Sequence, residues 1–137
     1  MQRYYMVKKA MGILLAGLVL AGCATSTVMS RKQERYAVYE ALTPEMRGLV
    51  DQGQIKVGMT TDAIYIAWGP PGRMLQGENE AGKTTTWVYY GSYVQEVRYW
   101  GYRNLHYDYY PSTYVRAQVV FVNGVVKSWQ TYGAPPY

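Results

Sequence analysis

The spacing of apolar and polar positions predicts helices in the first part of the chain and strands in the second. Residues 31–42, RKQERYAVYEAL, are compatible with a helix that has few apolar positions. Thr43 suits the cap of a second helical stretch, Pro44 suits its first position, and Gly53 ends it. The strongest helical pattern follows these two stretches.

This third helix lies in the segment MTTDAIYIAWGPPG. The side chain of Thr60 or Thr61 can accept a hydrogen bond from the free amides of its first turn, and Asp62 suits the positive end of the helix dipole. Gly69, followed by two prolines, ends the helix. The apolar positions near one face, which we expect to be buried, are Met59, Ala63, Ile64, Ala67 and Trp68.

Beyond Gly72 the pattern becomes typical of strands. Residues 73–75 are a short strand or the start of one. Residues 84–90, TTTWVYY, are almost all β-branched or aromatic, which favours a strand. Residues 116–122 and 125–132 predict two more strands, because only Asn-Gly, the favoured two-residue hairpin turn, separates them.

The Asn-Gly turn also predicts the register of the last hairpin. The expected pairs are Val122 with Val125, Phe121 with Val126, and Val120 with Lys127. One face then suits burial beneath the helices and carries Phe121, Val119, Ala117 and Val126. The other face is too apolar to be fully wet and carries Val120, Val122, Val125 and Trp129. Either the C-terminal tail or the preceding segment covers that face, or the face binds a partner.

Residues 91–112, GSYVQEVRYWGYRNLHYDYYPS, form an insertion rich in tyrosine. Its length makes a structureless loop uncommon, so it either extends the flanking strands into a long hairpin or is a mobile binding loop. Aromatic residues and arginine are frequent in interfaces, and tyrosines also simply cover sheets. The candidate partner-binding residues are Tyr99, Trp100, Tyr102, Tyr107, Tyr109 and Tyr110, together with Val120, Val122 and Trp129.

The N-terminus has the pattern of a bacterial lipoprotein signal. Three basic residues precede an apolar run at residues 10–20, and the lipobox LAGC ends at Cys23. We expect residues 1–22 to be a signal peptide and Cys23, the only cysteine, to carry acyl chains that anchor the protein to a membrane. A plain secretory peptide with an incidental cysteine is the alternative. We expect residues 23–32 to be a tether and residues 33–137 to be one domain.

Removal of this leader changes the charge. The chain has 14 basic and 9 acidic residues, a net charge of +5. The leader contains three of the basic residues and none of the acidic ones, so 11 minus 9 leaves +2. So small a charge gives no argument for nucleic-acid binding.

Gly77 to Thr84, GENEAGKT, matches the pattern G-x-x-x-x-G-K-[ST] of phosphate-binding loops. Such a loop leads into a helix whose amides face the phosphate, whereas here a strand is predicted after Lys83. Glu78 and Glu80 would also repel a polyphosphate. We therefore predict a charged hairpin loop and no nucleotide.

Nothing in the sequence indicates catalysis. His106 is the only histidine, and we expect the only cysteine, Cys23, to be acylated. The sequence therefore indicates neither a metal site nor a catalytic nucleophile with its base. Asp62 and Asp108 have structural roles available in a cap and a turn. We expect a protein that is not an enzyme and that has no metal or cofactor.

Three segments in order, GQIKVGMTTDAIYIAWGPPG, TTTWVYY and VVFVNGVVKSW, resemble the SmpA/OmlA lipoprotein family, which is BamE-like. The matching positions cover about residues 53–129. They are Ile55, Gly58, Met59, Thr60, Gly69, Pro71, Trp87, Tyr89, Phe121 and Gly124. The tyrosine-rich insertion and the segment LTPEMRGLVDQG depart from the family pattern.

This resemblance implies an α+β fold, with two N-terminal helices packed on a three-stranded antiparallel meander. It also implies an outer-membrane lipoprotein that faces the periplasm and assists the assembly of β-barrel proteins, or envelope integrity, through contacts with the assembly machinery or with anionic lipid. Ala24, after the lipidated cysteine, fits release to the outer membrane. The alternative function is an envelope binding module that uses its tyrosine-rich insertion for glycan or lipid.

Overall fold

The computed structural model describes residues 26–136, so the predicted signal peptide and Cys23 lie outside the described residues. The described chain is α+β and begins with four helices. Their bounds are α1 Val28–Glu34, α2 Tyr36–Ala41, α3 Pro44–Asp51 and α4 Thr61–Trp68. The helix expected over residues 31–42 is therefore two short helices, which meet at Arg35.

Local capping accounts for the bounds of α3 and α4, as the sequence predicts. Thr43 and Thr60 accept from backbone amides in the first turns of these two helices, and Pro44 occupies the first position of α3. Gly69 follows α4 with φ of 85°, a conformation that glycine adopts without strain. Asp62 lies in the first turn of α4, where it also pairs with Arg35.

Helix α1 begins within the segment that we expected to be a tether. Thr27 and Ser30 form a capping box, in which each side chain accepts from the backbone amide of the other residue. Arg31 is buried, and its guanidinium donates to the carbonyls of Ile66 and Ala67 at 2.9 and 3.1 Å. The folded domain therefore starts earlier than residue 33, because this arginine fastens α1 to the end of α4.

The sheet has four antiparallel strands in the order β1-β2-β3-β4, whereas the family resemblance implied three. Their bounds are β1 Arg73–Asn79, β2 Gly82–Trp100, β3 Leu105–Val122 and β4 Val125–Thr131. The fourth strand is β1, of which the sequence predicted only residues 73–75, because the rest of RMLQGEN has little strand pattern. It forms because its backbone pairs with β2 from Arg73 opposite Val88 to Asn79 opposite Gly82.

The core lies between α4 and one face of the sheet. The helix contributes Ala63, Ile64, Ile66 and Ala67, all buried. The predicted buried face of the last hairpin is confirmed, since Phe121, Val119, Ala117 and Val126 are all buried. Trp87 packs on Phe121, with 4.9 Å between the ring centroids.

A β-bulge in the last hairpin makes one predicted pair wrong. Val122 pairs with Val125 and Phe121 with Val126, as expected, but Val120 pairs with Ser128 and not with Lys127. One extra residue in β4 reverses the side to which all later side chains point. Trp129 is therefore opposite Val119, on the helix side of the sheet, and not beside Val120 as predicted.

Candidate functional site

The residues that carry the family resemblance mostly hold α4 on the sheet. The amide of Val126 donates to the carbonyl of Met59, and the carbonyl of Val126 accepts from the amide of Gly58. The amide of Thr61 donates to the carbonyl of Gly124. Tyr89 donates its hydroxyl to the carbonyl of Gly69 at 3.0 Å, and burial raises the pKa of this phenol. These positions explain the fold of the body, by which we mean the described residues outside 90–115, and none of these contacts forms a site for a ligand.

The segment that matches a phosphate-binding loop is a tight hairpin. Its first and last residues, Gly77 and Thr84, lie opposite each other in β1 and β2. The chain turns at residues 80–81, and Lys83 belongs to β2. This hairpin lacks the helix N-terminus that supplies free amides to a phosphate.

The tyrosine-rich insertion extends the sheet as a two-stranded ribbon, which settles one alternative left open by the sequence. Residues Tyr90–Trp100 of β2 pair with Leu105–Val115 of β3, and residues 101–104 close the tip. We call residues 90–115 the arm. Because β1 pairs with β2 only as far as Val88, the arm has no further strand beside it among residues 26–136. At roughly 3.3 Å per residue it extends roughly 35 Å.

Aromatic side chains lie on both faces of the arm. Half of the 16 tyrosines of the chain lie within it. One face carries Tyr90, Val94, Trp100, Leu105, Tyr107 and Tyr109, and the other carries Tyr93, Val97, Tyr99, Tyr110 and Tyr114. No residue of the arm is buried, and Trp100 and Tyr102 near the tip are 78% and 98% exposed. Both faces of the arm are therefore available for contact.

Polar contacts along the arm are local to it. Arg98 pairs with Glu96 at 2.5 Å and lies over the ring of Tyr107. Hydrogen bonding to Asp108 raises the pKa of the Tyr99 phenol. Two acidic residues, Glu96 and Asp108, balance Arg98 and Arg103, so the arm has no formal net charge.

His106 stacks on Tyr99, with 5.4 Å between the ring centroids and 16° between the planes. This contact gives the single histidine a packing role in the arm. Within residues 26–136 no three His, Cys, Asp or Glu side chains cluster as metal ligands would. None of the described helices is long and apolar enough to cross a bilayer.

The predicted site residues fall into three groups. The six aromatic candidates Tyr99, Trp100, Tyr102, Tyr107, Tyr109 and Tyr110 all lie in the outer half of the arm and are exposed. Val120 and Val122 are partly buried on the sheet face away from the helices. Trp129 belongs to neither group, because it contacts Trp68 at 6.4 Å between centroids.

Trp68 and Trp129 line an open cavity of about 470 Å³ beside the free side of β4. Its other lining residues are Gly53, Gln54, Ile55 and Thr131. The indole of Trp68 donates to the carbonyl of Gly53 at 2.8 Å, which fixes one wall. The sequence does not predict this cavity, because its formation depends on the bulge in β4.

Sequence analysis also missed the exposed apolar residues Tyr90, Val94, Val97 and Leu105 of the arm. The sequence does contain a signal that these residues belong to an extended strand. Residues 91–100 continue the β-branched and aromatic composition of residues 84–90, which favours one uninterrupted strand.

No protein-family model matches the chain, and no curated protein or solved structure matches it either. The resemblance to the SmpA/OmlA family therefore stays a prediction that depends on short sequence motifs.

Proposed function

We propose that this protein is a non-enzymatic outer-membrane lipoprotein, anchored by an acylated Cys23 and facing the periplasm. It assists β-barrel protein assembly or envelope integrity by binding other proteins. The lipobox before Cys23 supports the anchor. The SmpA/OmlA-like motifs, which occur in the family's order, support a role in barrel assembly or envelope integrity. This support is an analogy of sequence and of α+β class.

The observation that carries the binding proposal is the arm, an aromatic ribbon in which no residue is buried. Large exposed apolar surfaces in soluble domains are typical of interaction sites. Tyrosine, tryptophan and arginine are also the residues most enriched where interface binding energy concentrates. The arm supplies all three, with Trp100 and Arg103 close to its tip.

Protein is favoured over anionic lipid as the ligand because the charges of the arm cancel. Lipid headgroups with negative charge are recognised by clusters of lysine and arginine, which the arm does not have. The alternative function, an envelope module that binds glycan through stacking on tyrosine, depends on the same side chains. One experiment on the arm separates these two classes of ligand.

The experiment places a photoreactive amino acid at Tyr109 of the full-length chain in intact bacterial cells. We expect adducts with proteins of the β-barrel assembly machinery, identified by mass spectrometry after purification. Gln130, which is exposed on β4 of the body, is the matched control position and should give few adducts. Adducts of Tyr109 with glycan or lipid alone, or equal labelling from both positions, would contradict the proposal.

Two further measurements address the anchor and the aromatic contacts. Mass spectrometry of the protein purified from membranes should show a chain that begins at an acylated Cys23. Replacement of Tyr107, Tyr109 and Tyr110 by serine should remove the adducts while circular dichroism shows an intact fold, because none of the three side chains is buried. An unmodified residue 23 would contradict the anchor without affecting the binding result.

A further inference from the structure

The two outer edges of the arm differ in their capacity to accept another strand. The carbonyl of Val88 accepts from the amide of Gly72 at 2.9 Å, so the backbone groups of Val88 point away from β3. Backbone direction alternates along a strand, so every second residue from Tyr90 to Trp100 also presents its amide and carbonyl at the outer edge of β2. Among residues 26–136 no strand pairs with this edge.

The outer edge of β3 is protected by Pro111. This proline is paired with Val94, whose backbone groups point outward, so position 111 also presents its backbone to the outer edge. Proline has no amide hydrogen and prevents a neighbouring strand from completing its ladder there. Of the two edges of the arm, only that of β2 is free of such a block.

The free edge carries a charge pattern that complements itself. Glu96 and Arg98 are two positions apart on β2, and their side chains form an ion pair within the single chain. Both residues present their backbone groups to the edge. If two copies of this strand pair antiparallel about Val97, Glu96 of each copy is opposite Arg98 of the other. Opposite charges in facing positions stabilise a strand pair, whereas like charges destabilise it.

In the same register, apolar residues of the two copies also lie opposite each other. Val94 of one copy is opposite Trp100 of the other, on the same face as the charged pairs. Both side chains are exposed in the single chain, Trp100 at 78%. The backbone groups of residues 94, 96, 98 and 100 all point to the edge, so each facing pair exchanges two hydrogen bonds.

We propose that two copies of this chain associate through the β2 edges of their arms, antiparallel about Val97. Their arms form one four-stranded sheet in the order β3-β2-β2-β3. An isolated two-stranded ribbon is marginally stable in water, and two further strands remove this weakness. The zero net charge of the arm avoids repulsion between copies. This inference is independent of the proposed function.

The test is disulfide crosslinking of the full-length chain through a cysteine introduced at the centre of the proposed register. In the Val97→Cys variant the two thiols face each other across a non-hydrogen-bonded pair, with Cα atoms roughly 4.5 Å apart, within disulfide range. Mild oxidation of intact cells should convert most of the protein into a disulfide-linked dimer on a non-reducing gel. The wild type, run beside it, accounts for any contribution of Cys23.

Gln95→Cys is the matched control, because it is exposed on the same strand and the same face. In the proposed register the two Gln95→Cys thiols are four residues out of line, roughly 13 Å, too far for a disulfide. The double variant Gln95→Cys, Tyr99→Cys brings cysteines opposite each other and should form the dimer again. Equal bridging of Val97→Cys and Gln95→Cys, or none in either, would overturn the proposal.

A charge exchange tests the same register without new cysteines at other sites. In the Val97→Cys background, Glu96→Arg or Arg98→Glu places like charges opposite each other and should slow bridging about tenfold. The combined Glu96→Arg, Arg98→Glu variant restores opposite charges and should restore bridging. Failure of the combined variant to recover, or no effect of the single variants, would contradict the pairing about Val97.

Discussion

Arg31 shows how one side chain connects distant parts of the body. Its guanidinium lies at the C-terminal end of α4, where carbonyls have no partner within the helix. It satisfies the carbonyls of Ile66 and Ala67, and its positive charge suits this end of the helix dipole. The guanidinium also donates to the backbone carbonyl of Ser26. The same side chain therefore connects the start of the described chain to the end of α4.

Replacement of Arg31 by alanine should lower the free energy of unfolding by about 2–3 kcal/mol, because two buried carbonyls lose charged donors. Denaturant-induced unfolding followed by circular dichroism measures this change. Met29→Ala, on an exposed position of the same helix, should change the stability by no more than about 0.5 kcal/mol. Equal effects of the two substitutions would show that Arg31 does not act as the cap of α4.

The sequence could predict the caps that are local but not this one. Thr43, Thr60 and Gly69 lie next to the helices whose ends they define, so short-range pattern is sufficient. Arg31 is 35 and 36 residues from the carbonyls that it binds, and only the tertiary fold brings them together. The sequence instead placed Arg31 where a predicted tether of small, polar residues meets a possible helix, and neither assignment predicts a cap for a distant helix.

Among the secondary structure elements, β4 shows the limit of prediction by register. The Asn-Gly turn was a sufficient signal for the first two pairs, and Asn123 and Gly124 have φ of 50° and 80°, as such a turn requires. The bulge after Val126 has no local signal, because it depends on how β4 packs against β3 and the helices. The side of Trp129 was therefore predicted incorrectly.

The bulge can be tested by the coupling between Trp68 and Trp129. Because their rings meet edge to face at 84°, a double-mutant cycle with alanine at both positions should give a coupling of about 0.5–1.5 kcal/mol. The measurement is the free energy of unfolding of the wild type, both single variants and the double variant. A cycle between Trp68 and Trp100, which is in the arm, is the control and should give no coupling. Zero coupling for Trp129 would place it on the other face.

Strand β1 and the arm were predicted only in part, for different reasons. Strand β1 is exposed along its whole length and contains glycine, so its pairing with β2, and not its own composition, defines it. The arm has strong strand composition, but Gly91 and Pro111 are typical of strand ends. That proline is tolerated because it lies on an outer edge.

At the scale of the whole molecule, the buried residues and the exposed arm lie in separate parts of the described chain. Within residues 26–136 every buried residue lies outside residues 90–116, so the described core forms without the arm. The sequence motifs that indicated a family all lie outside the arm, and most of their residues are buried, which is why they predict the fold class better than the partner. The composition of the arm indicates contact, but its ligand has to be found by experiment.

Removal of the arm should leave the body folded. A chain in which Asn-Gly replaces residues 92–113, so that the hydrogen-bonded pair Gly91–Tyr114 closes the turn, should keep its free energy of unfolding within about 1 kcal/mol of the wild type, because no buried residue is lost. Chemical denaturation measures this quantity, and near-ultraviolet circular dichroism reports the packing of Trp87 and Phe121. The control is removal of residues 133–136, which lie outside the secondary structure. Unfolding of the shortened chain alone would show that the arm supports the core.

Pro111 also limits how far association through strand edges can proceed. A ribbon with two open edges can add neighbours without end and grow into a fibre. With one edge closed by a proline, each arm has a single place for a neighbour, and growth through the arms stops as soon as that place is filled. The absence of one amide hydrogen is thus sufficient to make the association of arms a closed pair and not an open fibre.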